Sequence, residues 1–452
     1  MSRDPERKPL HLNAFLMTAG HHEAAWRLPG SPADGTDVEH YKNLARIAER
    51  GRLDSLFLAD SPVLHGDPGR RPSSILEPTV LLTALAGVTS RIGLIATAST
   101  SYNEPYNLAR RFASLDHVSG GRAGWNIVTT AGADAARNFG LDDTPPHRER
   151  YLRAAEFLDV ATKLWDSWAD DAVVADKQSG VHALAGRVRP IGHRGPHFRV
   201  EGALNVRRSP QGHPLLVQAG SSEDGKDFAA RHAEAVFTAQ QTLEEGVAFY
   251  KDVKRRAETF GRDPDGIKIL PGIVPVIGDT EAEALELDTE LDRHIVPEYA
   301  RRQLARLLGV PDERLVLDEE LPDDIPTEDE IEGAKSRFTL VVELGRREHL
   351  TVRQLIGRLG GGRGHRTFAG TAEQVADTIE HWYDSGAADG FNIMPALLPS
   401  GLEAFVDGVV PILQERGLFR TEYTGTTLRE HYGLPRPANR LFDTVGSSAR
   451  TG

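Results

Sequence analysis

A chain of 452 residues with a formal net charge of −13 and no cysteine excludes several classes of protein at once. Without cysteine there is no disulfide framework, no thiolate nucleophile and no cysteine-ligated metal or iron–sulfur cluster. The acidic balance argues against nucleic acid, whose phosphates need concentrated basic surface. The amino-terminal MSRDPERKPLHLNAF has no apolar segment of signal length, and no later run approaches the roughly 18 apolar residues of a membrane span, so the expectation is a soluble, cytoplasmic enzyme. The length exceeds an average domain, yet a barrel with insertions reaches it as one unit over 1–452.

In chain order, short β-branched runs alternate with amphipathic helical stretches, the sequence form of repeated β-α units. The candidate strands are Leu10–Leu16, Ser55–Asp60, Ile92–Thr100, Arg122–Thr129, Pro214–Gly220, Ala235–Gln240, Ile267–Gly278 and Gly390–Pro395. Helices fit between them, for example Asp37–Gly51, Glu77–Ser90, Glu104–His117 and His147–Trp168. This rhythm favours a (β/α)8 TIM barrel, although a doubly wound sheet gives a similar local pattern, and much of the preference for the barrel comes from the family resemblance described below. Two places break it. Residues 170–211 read as a hairpin or loop insertion, expected on the upper rim, and 280–364 as a mainly helical insertion containing the acidic LDEELPDDIPTEDEIEG. The final SSARTG reads as disordered.

The chain carries no P-loop, no GxSxG elbow and no HExxH, and its histidines make no convincing metal set. Its chemistry is therefore expected to come from a cofactor. The stretch FASLDHVSGGRAGWNIVTT (112–130) runs a helix through a Gly-rich turn into a strand ending in polar residues. Asn126 and Thr129 lie toward the carboxyl end, where barrel enzymes bind ligands, and Arg122 at the other. LLVQAGSSEDG places Ser221 and Ser222 where a helix begins, which suits an anion or a simple N-cap. His147 and Tyr151 share one helix face, either reaching a common ligand or packing as a buried pair. Asp60 and Thr97 end two further strands, where an N-cap or barrel packing is the plain alternative. His21, His22 and Trp26 follow the first strand and are the candidates for the catalytic, substrate-facing side.

Six blocks then carry a family resemblance. ARRFASLDHVSGGRAGWNIVTT, FLADSP, IGLIATAST, HRERYLRAAEF, SPQGHPLLVQAGSSEDG and the carboxyl-terminal DGFNIMPALLPSGLEAFVDGVVPILQERGLFRTEYTGTTLREH together resemble the nitrilotriacetate monooxygenase group of bacterial luciferase-like flavin monooxygenases. The resemblance implies a two-component enzyme in which reduced FMN, delivered by a separate NAD(P)H:flavin reductase, reacts with O2 to oxygenate a small organic substrate, with C–N or C–S bond cleavage in relatives. It implies that Ser221 and Ser222 meet the flavin phosphate, that His147 and Tyr151 meet the ribityl-phosphate arm, and that Asp60 and Thr97 contact flavin. With Asn126 these complete the expected cofactor set, with no metal. A deazaflavin-dependent oxidoreductase of the same superfamily and a flavin-binding protein without turnover are the rival readings.

Two further expectations concern segments outside the barrel. The carboxyl-terminal arm 418–452 shows Phe419, Tyr423, Leu428 and Tyr432, which need cover, either across a homodimer or homotetramer interface or by folding back on the barrel. GRLGGGRGHRTFAG, Gly357 to Gly370, is expected to be a flexible lid or a linker, with donors at Arg363, His365 and Arg366.

Overall fold

The computed structural model describes residues 8–442, apart from 65, 328, 329, 332–334 and 363. Strand β1 (His11–Phe15) pairs in parallel with β2 (Ser55–Leu58), β2 with β3 (Gly93–Ser99), and β3 with β4 (Ala123–Val128). Two small hairpins follow in the chain, β5 (Val173–Asp176) with β6 (Val181–Ala183) and β7 (His193–Arg194) with β8 (Arg199–Val200). β4 then pairs with β9 (Leu215–Gln218), β9 with β10 (Ala235–Thr238), and β10 with the long β11 (Lys268–Ile277). Along its upper half β11 takes β12 (Arg366–Gly370) as an outer partner, and through Gly272 and Ile273 it pairs with β13 (Gly390–Ile393), which returns to β1. Eight parallel strands thus close a barrel, each inside its expected range, and β12 lies outside it.

The period-two alternation of these strands builds two layers. Phe15, Phe57, Ile95, Val217 and Leu270 join one inner apolar cluster, whereas Leu12, Leu56, Leu94, Trp125 and Leu216 belong to the cluster formed with the surrounding helices. The helices start where their caps dictate. Asp37 accepts from the N–H groups of Glu39 and His40 ahead of helix Val38–Arg50, and Glu77 accepts from Val80 N–H ahead of Pro78–Ala86.

The hairpins are not on the upper rim. They follow the carboxyl end of helix His147–Trp165 and precede β9, so they start at the amino-terminal face, and the second climbs back along that helix. There His193 Nε2 meets Glu156 at 2.9 Å and Phe198 packs edge-on against Phe157 at 5.5 Å. Insertions after a helix and before a strand belong to the face opposite a barrel's active site.

The carboxyl-terminal arm folds back on its own barrel, and Phe419, Leu428 and Tyr432 are buried by this chain alone. Leu428 joins the inner barrel cluster, Tyr432 stacks on His11 at 4.8 Å, and the Tyr432 hydroxyl donates to Asn13 Oδ1 at 2.8 Å. The half-buried Tyr423 donates to the Leu53 carbonyl at 2.6 Å. Small residues at the amino ends of β3 and β4, Gly93 and Gly124, leave the space that the Leu428 side chain fills. The arm therefore plugs the bottom of the barrel, while SSARTG lies outside the described residues.

The segment between β11 and β12 contains helices Glu281–Arg293, Pro297–Leu308, Lys335–Arg347 and Val352–Gly362, and most of it shares a second apolar core around Leu304, Leu308, Val341 and Leu355. Its Gly-rich end is not a lid. Gly360, Gly361 and Gly362 are buried in the last turn of a helix, and residues 366–370 form β12. The glycines serve close approach: Glu23 N–H donates to the Gly360 carbonyl at 2.8 Å, and a Cβ on Gly361 would sit 3.1 Å from Thr367 Cγ2. His365 is buried, Arg366 donates to the Gln241 carbonyl, and Arg363 lies outside the described residues.

Candidate active site

The carboxyl ends of the strands bring the predicted polar residues into two groups. The first is built on β3 and β4, where Thr97 and Asn126 are register partners and both buried. Asn126 Nδ2 donates to Thr97 Oγ1 at 2.8 Å, and the buried Asn126 Oδ1 has no partner among the described residues. A buried carbonyl oxygen without a donor costs about 1–3 kcal/mol, so this one calls for a ligand or water. Asp60, half-buried beyond β2, has its carboxyl pushed above the usual range by burial and then by the Glu77 carboxylate.

The second group surrounds the start of helix Glu223–His232. Ser222 is its N-cap, accepting from Gly225 N–H at 3.2 Å, and its Oγ lies 3.4 Å from His147 Nε2. His147 Nδ1 meets Asp224 Oδ2 at 2.9 Å, fixing the ring over Tyr151, 5.0 Å between centroids. The Tyr151 hydroxyl hydrogen-bonds the side chains of Ser222 and Thr129, and burial raises its pKa, so it stays a neutral donor. Any Cβ on Gly220 would lie 2.8 Å from that hydroxyl. Glycine is required there because the backbone comes so close, and the result is a cradle of hydroxyls and free helix N–H groups suited to a phosphate. His147, Tyr151, Ser222 and Thr129 are thus together, with Ser221 beside them in sequence and half-buried.

Inside the barrel lies an apolar floor that the sequence reading missed. Phe15 packs on Phe57 at 4.9 Å and on Phe237 at 5.4 Å, and His365 stacks on Phe237 at 4.9 Å. Each phenylalanine sits on a different strand, so only the closed barrel brings them into contact; the usable signal was their shared place near the strand ends. His21 stands at this floor, its ring edge-on to Phe15 at 4.6 Å and its Nε2 2.9 Å from the Phe15 carbonyl.

The other amino-terminal candidates have contacts of their own. Both ring nitrogens of the buried His22 are engaged, Nδ1 accepting from Ala24 N–H at 3.1 Å and Nε2 meeting Asp292 at 3.2 Å. His22 therefore ties the β1 loop to the helical insertion. Trp26 is half-buried in a 3-10 turn, Ala25–Arg27. Arg122, the weakest candidate, is buried at the amino end of β4 and donates to the carbonyls of Ala86, Thr89, Ile92 and Ser119.

Fold and site together define a (β/α)8 barrel with a cluster of hydroxyls at a helix start and an apolar, aromatic-floored interior. The chain belongs to the luciferase-like monooxygenase family, whose model matches residues 15–389. It is a monooxygenase of that family. N-acetyl-S-(2-succino)cysteine monooxygenase of Bacillus subtilis (strain 168) is 49% identical over 96% of this chain and 99% of its own. Nitrilotriacetate monooxygenase component A of Aminobacter aminovorans is 48% identical over 96% and 98%. A riboflavin lyase crystallised with modified FMN and riboflavin superposes with a TM-score of 0.83 at 32% identity, covering 95% of this chain and 97% of that one.

Proposed function

We propose that this enzyme is the oxygenase of a two-component system, which takes reduced FMN from a separate flavin reductase and oxygenates a small carboxylate-bearing molecule at a carbon next to nitrogen or sulfur. The observation that carries the cofactor is the cradle of Ser222, Tyr151 and His147 around a glycine-tight turn, made for a phosphate, together with the unpartnered Asn126 Oδ1. Ser221, Ser222, Tyr151 and His147 would hold the phosphate, and Asp60, Thr97 and Asn126 would offer polar contacts to the rest of FMN. Bound reduced FMN supplies the electrons that activate O2. Phe15, Phe57 and Phe237 keep water from that side of the mouth, which protects a reactive site from hydrolysis and proton leakage. Asp60, whose pKa is raised, is a carboxyl able to hold a proton at the mouth.

The carboxylate class is supported by the two relatives at 48–49% identity, whose names specify nitrilotriacetate and N-acetyl-S-(2-succino)cysteine, small molecules with several carboxylates near a nitrogen or sulfur. The test is an assay of the purified protein with a generic flavin reductase, FMN, NADH and either carboxylate. Loss of the C–N or C–S bond that requires both reductase and O2 supports the reading. Turnover that persists anaerobically with a reduced deazaflavin would sink it.

A further inference from the structure

The loop that leaves β2 carries two adjacent arginines, Arg70, which is exposed, and Arg71, which is half-buried. Other guanidiniums of the chain are engaged: Arg27 on the His294 carbonyl, Arg111 on Asn103 and Glu77, Arg137 on Asp134, and Arg358 on Glu348. Arg71 is half-buried, yet among the described residues no carboxylate or other acceptor engages its guanidinium. Its stem packs beside Gly66, where a Cβ would lie 3.2 Å from Arg71 Cδ and 2.6 Å from the Tyr299 hydroxyl.

Tyr299 belongs to insertion helix Pro297–Leu308 and is only 3% exposed. Its oxygen accepts from Asp67 N–H at 3.4 Å, so that contact leaves the phenolic proton uncommitted, and no acceptor takes it among the described residues. The adjacent Asp67 carboxylate is turned to Gly69 N–H at 2.8 Å. The Arg71 stem and the Tyr299 hydroxyl thus meet at Gly66, which brings a cationic side chain and a buried phenol into one neighbourhood. Gly66 allows this approach with its φ of 76°. Both elements leave the carboxyl ends of barrel strands, the β2 loop after Asp60 and the insertion after β11, which is the face where barrel enzymes bind substrate.

We propose that Arg71 and Tyr299 form the carboxylate-recognition corner of the substrate site, Arg71 setting the preference for anionic substrates and Tyr299 orienting the bound carboxylate. This rests on the carboxylate-substrate reading above. A protein with a net charge of −13 repels a multiply charged anion at long range, so an unneutralised cation at the mouth is what such a substrate requires. A carboxylate there completes a charge-assisted pair with the guanidinium and a short O–H···O− bond with the phenol.

The test compares the wild type with Arg71→Ala, Arg71→Lys and Tyr299→Phe, using N-acetyl-S-(2-succino)cysteine and nitrilotriacetate as probes. KM is measured in the coupled assay, and direct binding to the flavin-free protein by calorimetry. Losing one charged hydrogen-bonding partner is expected to raise KM and Kd about 10- to 100-fold in Arg71→Ala, with kcat much less affected. Arg71→Lys recovers part of the affinity, Tyr299→Phe loses roughly 10-fold, and added salt weakens binding to the wild type more than to Arg71→Ala. Equal KM, Kd and salt dependence in wild type and Arg71→Ala, with both carboxylates turned over, would overturn this assignment and leave the functional reading standing. A wild type that neither binds nor oxygenates either probe would overturn both.

Discussion

Ser222 shows how much one side chain can be asked to do at this site, since it caps a helix, approaches His147 and bonds Tyr151 at once. Replacing Ser221 and Ser222 together with Ala is expected to weaken FMN binding by roughly 1–3 kcal/mol, the scale for unpairing groups around a charged ligand. Riboflavin, which lacks the phosphate, should lose far less. Fluorescence titration of both ligands checks this, and equal losses would move the phosphate elsewhere. A second residue makes stability depend on pH. His232, packed against Phe228, has its pKa held down to about 4 from 6.5 by burial and then by the Arg262 and Arg231 guanidiniums. The unfolded chain therefore binds the proton first as pH falls, so His232 favours the fold fully above about 6.5 and progressively less down to about 4. The shift corresponds to roughly 3 kcal/mol. Urea unfolding of His232→Gln at pH 7 and pH 5 should show a smaller acid loss than the wild type. Parallel losses in the two proteins would clear His232 of this part.

Among the elements, the Gly-rich helix end shows composition misleading where packing decides. Three glycines at 360–362 suggest freedom, yet all three are buried and the turn is pinned by Glu23 N–H. Gly361→Pro is accordingly expected to cost about 3 kcal/mol, the scale for proline in a helix interior, and to speed hydrogen exchange across residues 352–362. An unchanged melting temperature accompanied by more hydrogen peroxide release per turnover would restore the lid. The same helix end explains why His22 is buried: a Cβ on Gly360 would come 3.7 Å from its Nε2.

For the whole molecule, the arm decides whether the barrel is closed at the bottom. Arg420 bonds the fully buried Asp54, and Arg429 bonds Glu234 at 2.6 Å, so the arm is held by ion pairs as well as by Leu428 and Tyr432. Deleting the chain from Thr421 onward would expose the inner cluster, and the loss of buried Leu428 alone is on the scale of 2–5 kcal/mol. The expected outcome is a large fall in melting temperature, followed by aggregation. A shortened protein that melts as before but dissociates in light scattering would mean that the arm works between subunits instead.

The barrel's strands were legible from the sequence because each is apolar and bounded by turn residues, and local pattern suffices to find such segments, whereas closure into a barrel rather than an open sheet rested largely on the family resemblance. The partnership of His147 with Tyr151 was legible for the same reason, four residues on one helix face. The aromatic floor was not, because Phe15, Phe57 and Phe237 stand on strands far apart in the chain and meet only when the sheet closes. Nor were β12, the place of the hairpins or the destination of the arm. A glycine run, a two-residue strand or an apolar tail has the same local signature whether it faces solvent or a packed surface. Sequence by itself determined the repeating units and the polar residues at their ends. Tertiary structure alone decided which surfaces those units cover, because burial is settled by contacts between residues hundreds of positions apart, such as Tyr432 with Asn13 and His22 with Asp292.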